Sequence, residues 1–123
     1  MAETREPTLR VTMLPRDTNA RGTIFGGVIL SHIDLAGAIA ASRQAPRNFV
    51  TRAMREVGFI SPVFVGDVVS FYTQVLGEGR TSVTVQVTVE AERSREPRQY
   101  IKVTQAEVIY VAVDEAGNPI PLR

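Results

Sequence analysis

One segment governs what this chain can become. From Ile24 to Ala41 (IFGGVILSHIDLAGAIAA) apolar and small residues run almost unbroken, with His32 and Asp34 in the middle. Gly26 and Gly27 open the segment and Pro46 closes it. Its alanines, leucines and isoleucines favour a helix, expected from about Gly27 to Gln44. The run is about the minimum length for a membrane span, but a carboxylate at the centre of a bilayer costs roughly 2.5–3.5 kcal/mol. A buried helix is the better solution. Apolar side chains cover nearly its whole circumference, which marks a helix enclosed on most sides.

After Pro46 the period changes from 3.6 to 2. Asn48 to Ile60 reads as extended, Asp67 to Leu76 as a strand, and Gly77 to Gly79 as a tight reversal. Val83, Val85, Val87 and Val89 then alternate with Thr84, Gln86, Thr88 and Glu90, the pattern of a strand with one buried and one wet face. Arg93 to Arg98 is expected as a charged loop, Tyr100 to Val113 as a long last strand, and Asp114 to Arg123 as a tail. Upstream, Thr8 to Leu14 fits a short first strand, and Pro15 to Gly22 is dense in turn formers. One strand, one helix and then three or four antiparallel strands imply an α+β fold with a curved antiparallel sheet wrapped around one long central helix. Its free edges suit pairing with a second copy, so a homodimer is expected.

At 123 residues, one domain over 1–123 is expected. The chain has no cysteine and a single histidine, which excludes disulfides, thiolate chemistry and multi-histidine metal sites. A net charge of +1 argues against nucleic-acid binding driven by bulk electrostatics. Met1 to Leu14 has no apolar run of the secretory type. A soluble, cytoplasmic protein without a membrane segment is expected.

Asp34 stands out chemically. At 100° per residue, Gly27, Leu30, Ser31, Ala38 and Ala41 share its side of the helix, so the carboxylate lies in a groove of small side chains. It suits a general base or nucleophile, or a structural acid paired with arginine or capping an amide. His32 lies about 200° round the helix and points away, as a core or interface histidine would. Gly26 and Gly27 sit where free helix amides can hold an oxyanion, or simply form a tight entry turn. Asn19 belongs to an Asx-type turn and has the chemistry to orient a water. Arg80, Thr81 and Ser82 follow a hairpin reversal as a phosphate grip or a solvated turn, an ambiguity shared by Arg47, Arg52 and Arg55. Ser61 lacks the flanking glycines of a nucleophile elbow, and no dinucleotide or P-loop fingerprint is present.

Residues 13–27 (MLPRDTNARGTIFGG), continuing into residues 31–38 (SHIDLAGA), resemble the hotdog-fold acyl-CoA thioesterases, in particular the bacterial type related to one half of the mammalian cytosolic acyl-CoA hydrolases. Residues 59–62 (FISP), 65–69 (VGDVV) and 79–82 (GRTS) follow in the family order. The resemblance implies that Asp34 is the catalytic helix carboxylate and that the Gly27 amide, beside Gly26, holds the thioester oxygen. It further implies that Asn19 approaches a partner subunit's carboxylate and that Arg80, Thr81 and Ser82 lie near the nucleotide end of coenzyme A. Active sites between two subunits, assembly into a trimer of dimers, and the absence of any cofactor beyond substrate coenzyme A are implied as well. Two other activities fit the same scaffold: an enoyl-thioester hydratase or dehydratase, and a non-catalytic acyl-CoA binder.

Overall fold

The valine alternation organises the sheet. In a computed structural model describing residues 5–55, 57–94 and 99–123, β4 (Ser82–Glu92) carries Val83, Val85, Val87, Val89 and Ala91 on one face, all fully buried, while the residues between them stay half-exposed. Each such valine contributes roughly 1.5–3 kcal/mol of burial. β4 pairs antiparallel with β3 (Val68–Glu78) on one side and β5 (Tyr100–Val113) on the other. β1 (Leu9–Thr12) and β2 (Asn48–Arg55) form the two edges, giving the order β1-β3-β4-β5-β2 with every pairing antiparallel.

The helix α1 (Gly26–Ser42) packs against β2, β3, β4 and β5, so the sheet curls round it. It starts one residue earlier and stops two residues sooner than expected, because the chain turns over residues 43–47 before β2 begins. Ile29, Ile33, Ala36, Gly37, Ala40 and Ala41 form its buried face. The expected enclosure on most sides is not reached within one chain: Leu35 is 50% exposed, so the outer apolar side of the helix stays open.

Other boundaries shift for local reasons. A 3₁₀ turn at Pro15–Asp17 occupies the expected loop, tightened by the Asp17 carboxylate accepting from the Leu14 amide. β2 stops at Arg55, short of the extended run expected to Ile60. Residues 57–67 instead tie to β5, through Ile60 N–H donating to the Val103 carbonyl and Thr104 Oγ1 to the Gly58 carbonyl. Gly77 belongs to β3, paired with Thr84 beyond a register shift, and the reversal comes at residues 79–81. Of the charged loop expected from Arg93 to Arg98, residues 95–98 lie outside the described residues. The tail folds back along β5, with Asp114 accepting from the Ala116 and Asn118 amides, Gly117 at φ +86° and Leu122 buried. Among the described residues, no helix is long and apolar enough to cross a membrane.

Candidate active site

The site grows from the start of α1. Phe25 occupies the cap position in an extended conformation, with φ −61° and ψ 129°, and offers no side-chain cap. Its amide donates to the Asp17 carbonyl, which anchors the preceding loop. The Gly26 and Gly27 amides meet no acceptor among the described residues, so two donors at the positive end of the helix stay available. The Phe25 ring lies over Gly27 so closely that a Cβ there would stand 2.6 Å from Cε2. Phe59 lies beside Gly26 and lines, with Ile24, Ile29, Pro62 and Val63, an apolar cleft of about 350 Å³ at the helix entry.

Asp34 sits two turns further on, about 10 Å along the axis at 1.5 Å per residue. It is half-buried, with Ser31 exposed and Ala38 half-buried on its side of the helix. Its Oδ1 accepts a 2.6 Å hydrogen bond from Thr51 Oγ1 on β2, and its backbone carbonyl accepts one of 2.6 Å from the Tyr110 hydroxyl on β5. Among the described residues, no cation pairs with it and no backbone amide is capped by it. Within the described chain, the hydrogen-bond partner of the carboxylate is thus the Thr51 hydroxyl, not an arginine or a backbone amide. Burial, reinforced by the nearby Asp34 charge, pushes the Tyr110 phenol far above its ordinary value, so it remains a hydroxyl donor.

The remaining candidates are dispersed. Asn19 closes an Asx-type turn: Oδ1 accepts from the Arg21 and Thr23 amides and Nδ2 donates to Thr23 Oγ1. It makes no hydrogen bond to Asp34 within the chain, and one Nδ2 hydrogen is left to offer a neighbour. His32 faces the sheet, stacked on Phe71 with ring centroids 5.7 Å apart and Nδ1 against the Val28 carbonyl at 2.8 Å. This half-buried ring points away from Asp34, as expected of a core or interface histidine, so within one chain no imidazole stands beside the carboxylate.

Arg80 and Thr81 lie in the β3–β4 reversal and Ser82 opens β4; their carbonyls accept from the Leu122, Ala112 and Gly79 amides in turn. This turn adjoins the C-terminal end of α1, where Gln44 Nε2 donates to Glu78. It is therefore at the far end of the helix from Gly26 and Gly27; the last helical residue, Ser42, lies about 12 Å beyond Asp34 at the helical rise.

Sequence reasoning missed Thr51, Tyr110 and the close approach at Gly37. A glycine inside a strong helix signals such an approach, because it lowers helix propensity without an evident local need. Also missed was a second acid, Asp67. It is 2% exposed and accepts from the Phe64 amide and from Arg93 Nη1 at 2.5 Å, with the Arg93 guanidinium lying 4.8 Å over the Phe64 ring. No group of acids and histidines suited to a metal occurs among the described residues.

An open carboxylate in a small-residue groove, free amides at the start of the same helix, and a sheet curled round that helix define a class of protein. The chain belongs to the thioesterase superfamily, whose profile matches residues 21–98. More narrowly, it is similar to the acyl-CoA thioester hydrolase YciA of Salmonella typhimurium, 43% identical over 119 residues that cover 95% of this chain and 90% of that protein. It is similar as well to a hexameric hotdog-fold thioesterase of Campylobacter jejuni, with 47% identity, a TM-score of 0.91 and coverage of 97% and 91% of the two chains. A third similar structure is an aspartate-to-alanine variant of a hexameric broad-specificity acyl-coenzyme A thioesterase, at 37% identity, a TM-score of 0.90 and coverage of 98% and 88%. The fold is thus the hotdog fold expected from the sequence.

Proposed function

We propose that this chain hydrolyses acyl-CoA thioesters to a carboxylic acid and coenzyme A, with Asp34 as the reacting carboxylate. The observation that carries the reading is Asp34 itself: half-buried, unpaired by any described cation, and on the helix whose first amides are free. The Gly27 amide, assisted by Gly26, holds the thioester oxygen as negative charge develops there. Asp34 takes a proton from water, whose oxygen bonds to the acyl carbon as the C–S bond breaks and the thiolate leaves to be protonated. In the alternative route Asp34 bonds to the acyl carbon directly, the C–S bond breaks and the thiolate leaves to be protonated, and water then hydrolyses the resulting anhydride to the carboxylic acid and free Asp34. Thr51 occupies Oδ1, which leaves Oδ2 for the reacting atom.

The chain acts as a homodimer at least, assembled further as a trimer of dimers, with Asn19 of a second copy presenting its free Nδ2 hydrogen to the carboxylate or the water. Three features support this: the solved relatives described as hexameric, the exposed Leu35 side of the helix, and the unpaired outer edge of β2. Arg80, Thr81 and Ser82 lie towards the nucleotide end of coenzyme A. The reaction calls for no cofactor, since coenzyme A is the leaving group, and its setting is the cytoplasm.

The test is thiol release from a short-to-long acyl-CoA panel by wild type and Asp34→Ala. Turnover is expected to fall by about 10²–10⁴ in the variant, the range for a positioned acid or base. Near-normal turnover by folded Asp34→Ala overturns the mechanism. Acyl-CoA binding without thiol release by either protein makes the chain a binding module.

A further inference from the structure

Two residues opposite one another in the sheet hold Asp34 from different sides. Thr51 on β2 and Tyr110 on β5 are direct cross-strand partners. Thr51 donates to the Asp34 carboxylate and Tyr110 to the Asp34 backbone carbonyl, each at 2.6 Å. The register of β2 against β5 slips immediately beyond this pair, with Thr51 opposite Tyr110 but Ala53 opposite Ile109, so Arg52 is the extra residue of a bulge. Bulges of this kind re-aim neighbouring side chains. On the helix, Gly37 makes room for the phenol: a Cβ there would collide with the hydroxyl and stand 2.9 Å from two ring carbons.

We propose that Tyr110 is a positioning residue for Asp34, its buried hydroxyl seated on Gly37 to fix the helix backbone under the carboxylate that Thr51 orients. The inference rests on the reading of Asp34 as the reacting group. Packing alone does not account for the arrangement. The Asp34 carbonyl already faces the Ala38 amide in the helix ladder, so it needs no hydroxyl to be satisfied. A phenylalanine at position 110 would fill the same space with no hydroxyl to desolvate, and an alanine at position 37 would favour the helix. Both choices carry a penalty, and what they obtain together is a second anchor one peptide group from the reacting side chain.

The experiment compares wild type, Asp34→Ala, Tyr110→Phe, Thr51→Val and the Tyr110→Phe/Thr51→Val double variant in the thiol-release assay, with thermal midpoints recorded alongside. Tyr110→Phe is expected to lower kcat by about ten- to a hundredfold, the scale of a displacement near 1 Å, with KM within about twofold. Because both residues hold Asp34, Thr51 at the carboxylate and Tyr110 at the backbone carbonyl, the double variant should lose less than the product of the two single losses. Gly37→Ala attacks the same contact from the helix side and should lower kcat in the same way. Wild-type kcat in folded Tyr110→Phe or Gly37→Ala overturns the proposal. So does a loss that appears in KM and thermal midpoint without kcat, or single losses that multiply. Full activity in Asp34→Ala refutes the mechanism beneath it, and that outcome is read independently of position 110.

Discussion

Replacing Arg93 by methionine removes one half of a buried ion pair, together with the guanidinium that lies over the Phe64 ring, and leaves an unbranched apolar side chain in its place. Asp67 is 2% exposed and the Arg93 side chain 13%, so neither charge is screened appreciably by water. In Arg93→Met the Asp67 carboxylate keeps, among the described residues, the Phe64 amide at 2.9 Å. Breaking one side of a buried pair costs about 3–5 kcal/mol, and the surviving amide bond places the expected loss near the lower end, about 3 kcal/mol. A domain of this kind is stable by about 5–15 kcal/mol in all, so the loss is a large share. The effect should reach the active site. The Met13 amide bonds the Asp67 carbonyl, and the Ile24 amide bonds Val63, so this corner holds the chain that leads into Gly26. Urea unfolding followed by circular dichroism is the assay, at matched protomer concentration because assembly adds concentration-dependent stability. Asp67→Asn/Arg93→Met should recover part of the loss, since no charge is then left buried. The reasoning is refuted if Arg93→Met unfolds within about 0.5 kcal/mol of wild type, as exposed pairs do. It is refuted equally if the double variant is no better than the single one.

Gly27→Ala puts a methyl group where the Phe25 ring now lies; that ring is 57% exposed and free to swing away, so kcat/KM should fall about ten- to a hundredfold in the thiol-release assay while the thermal midpoint holds. His32→Gln should change kcat less than about threefold yet lower stability by about 1 kcal/mol in urea unfolding, because the ring packs on Phe71 and bonds a helix carbonyl. Hydrogen bonding from Arg123, helped by Gln44, lowers the Glu78 carboxyl from 4.5 to about 2. Folded Glu78 thus binds its proton more weakly than in the unfolded chain, so this contact stabilises the tail above pH 4.5 and loses that contribution as the pH falls towards 2. A carboxyl NMR titration should place Glu78 near 2 in wild type and closer to 4.5 in Arg123→Ala.

The helix, the strand order along the chain and the acid in the groove were legible in the sequence because each depends on local periodicity and residue type. An apolar run opened by Gly26-Gly27 has one regular solution. Alternating valines at 83–89 have another, and β5 runs over the residues its pattern marks, Tyr100–Val113. The free amides at Gly26 and Gly27 follow from helix geometry alone. Resemblance to a known family added the substrate class, which no periodicity carries.

Contacts between residues far apart in the chain were decided only by the tertiary structure. Thr51 and Tyr110 lie on different strands, and nothing in the local pattern of either sets them opposite each other beside Asp34. That meeting depends on the β2–β5 register and on the bulge at Arg52. Asp67 read only as the first residue of a strand until the chain leaving β4 brought Arg93 against it. Arg80 read equally as a phosphate grip or a solvated turn, and only the sheet sets it at the far end of α1 from Gly26 and Gly27. Side-chain periodicity specifies which face of an element is buried, but partner and distance come from how the faces are stacked. Within one chain that stacking covers one side of α1 and leaves Leu35 in the open.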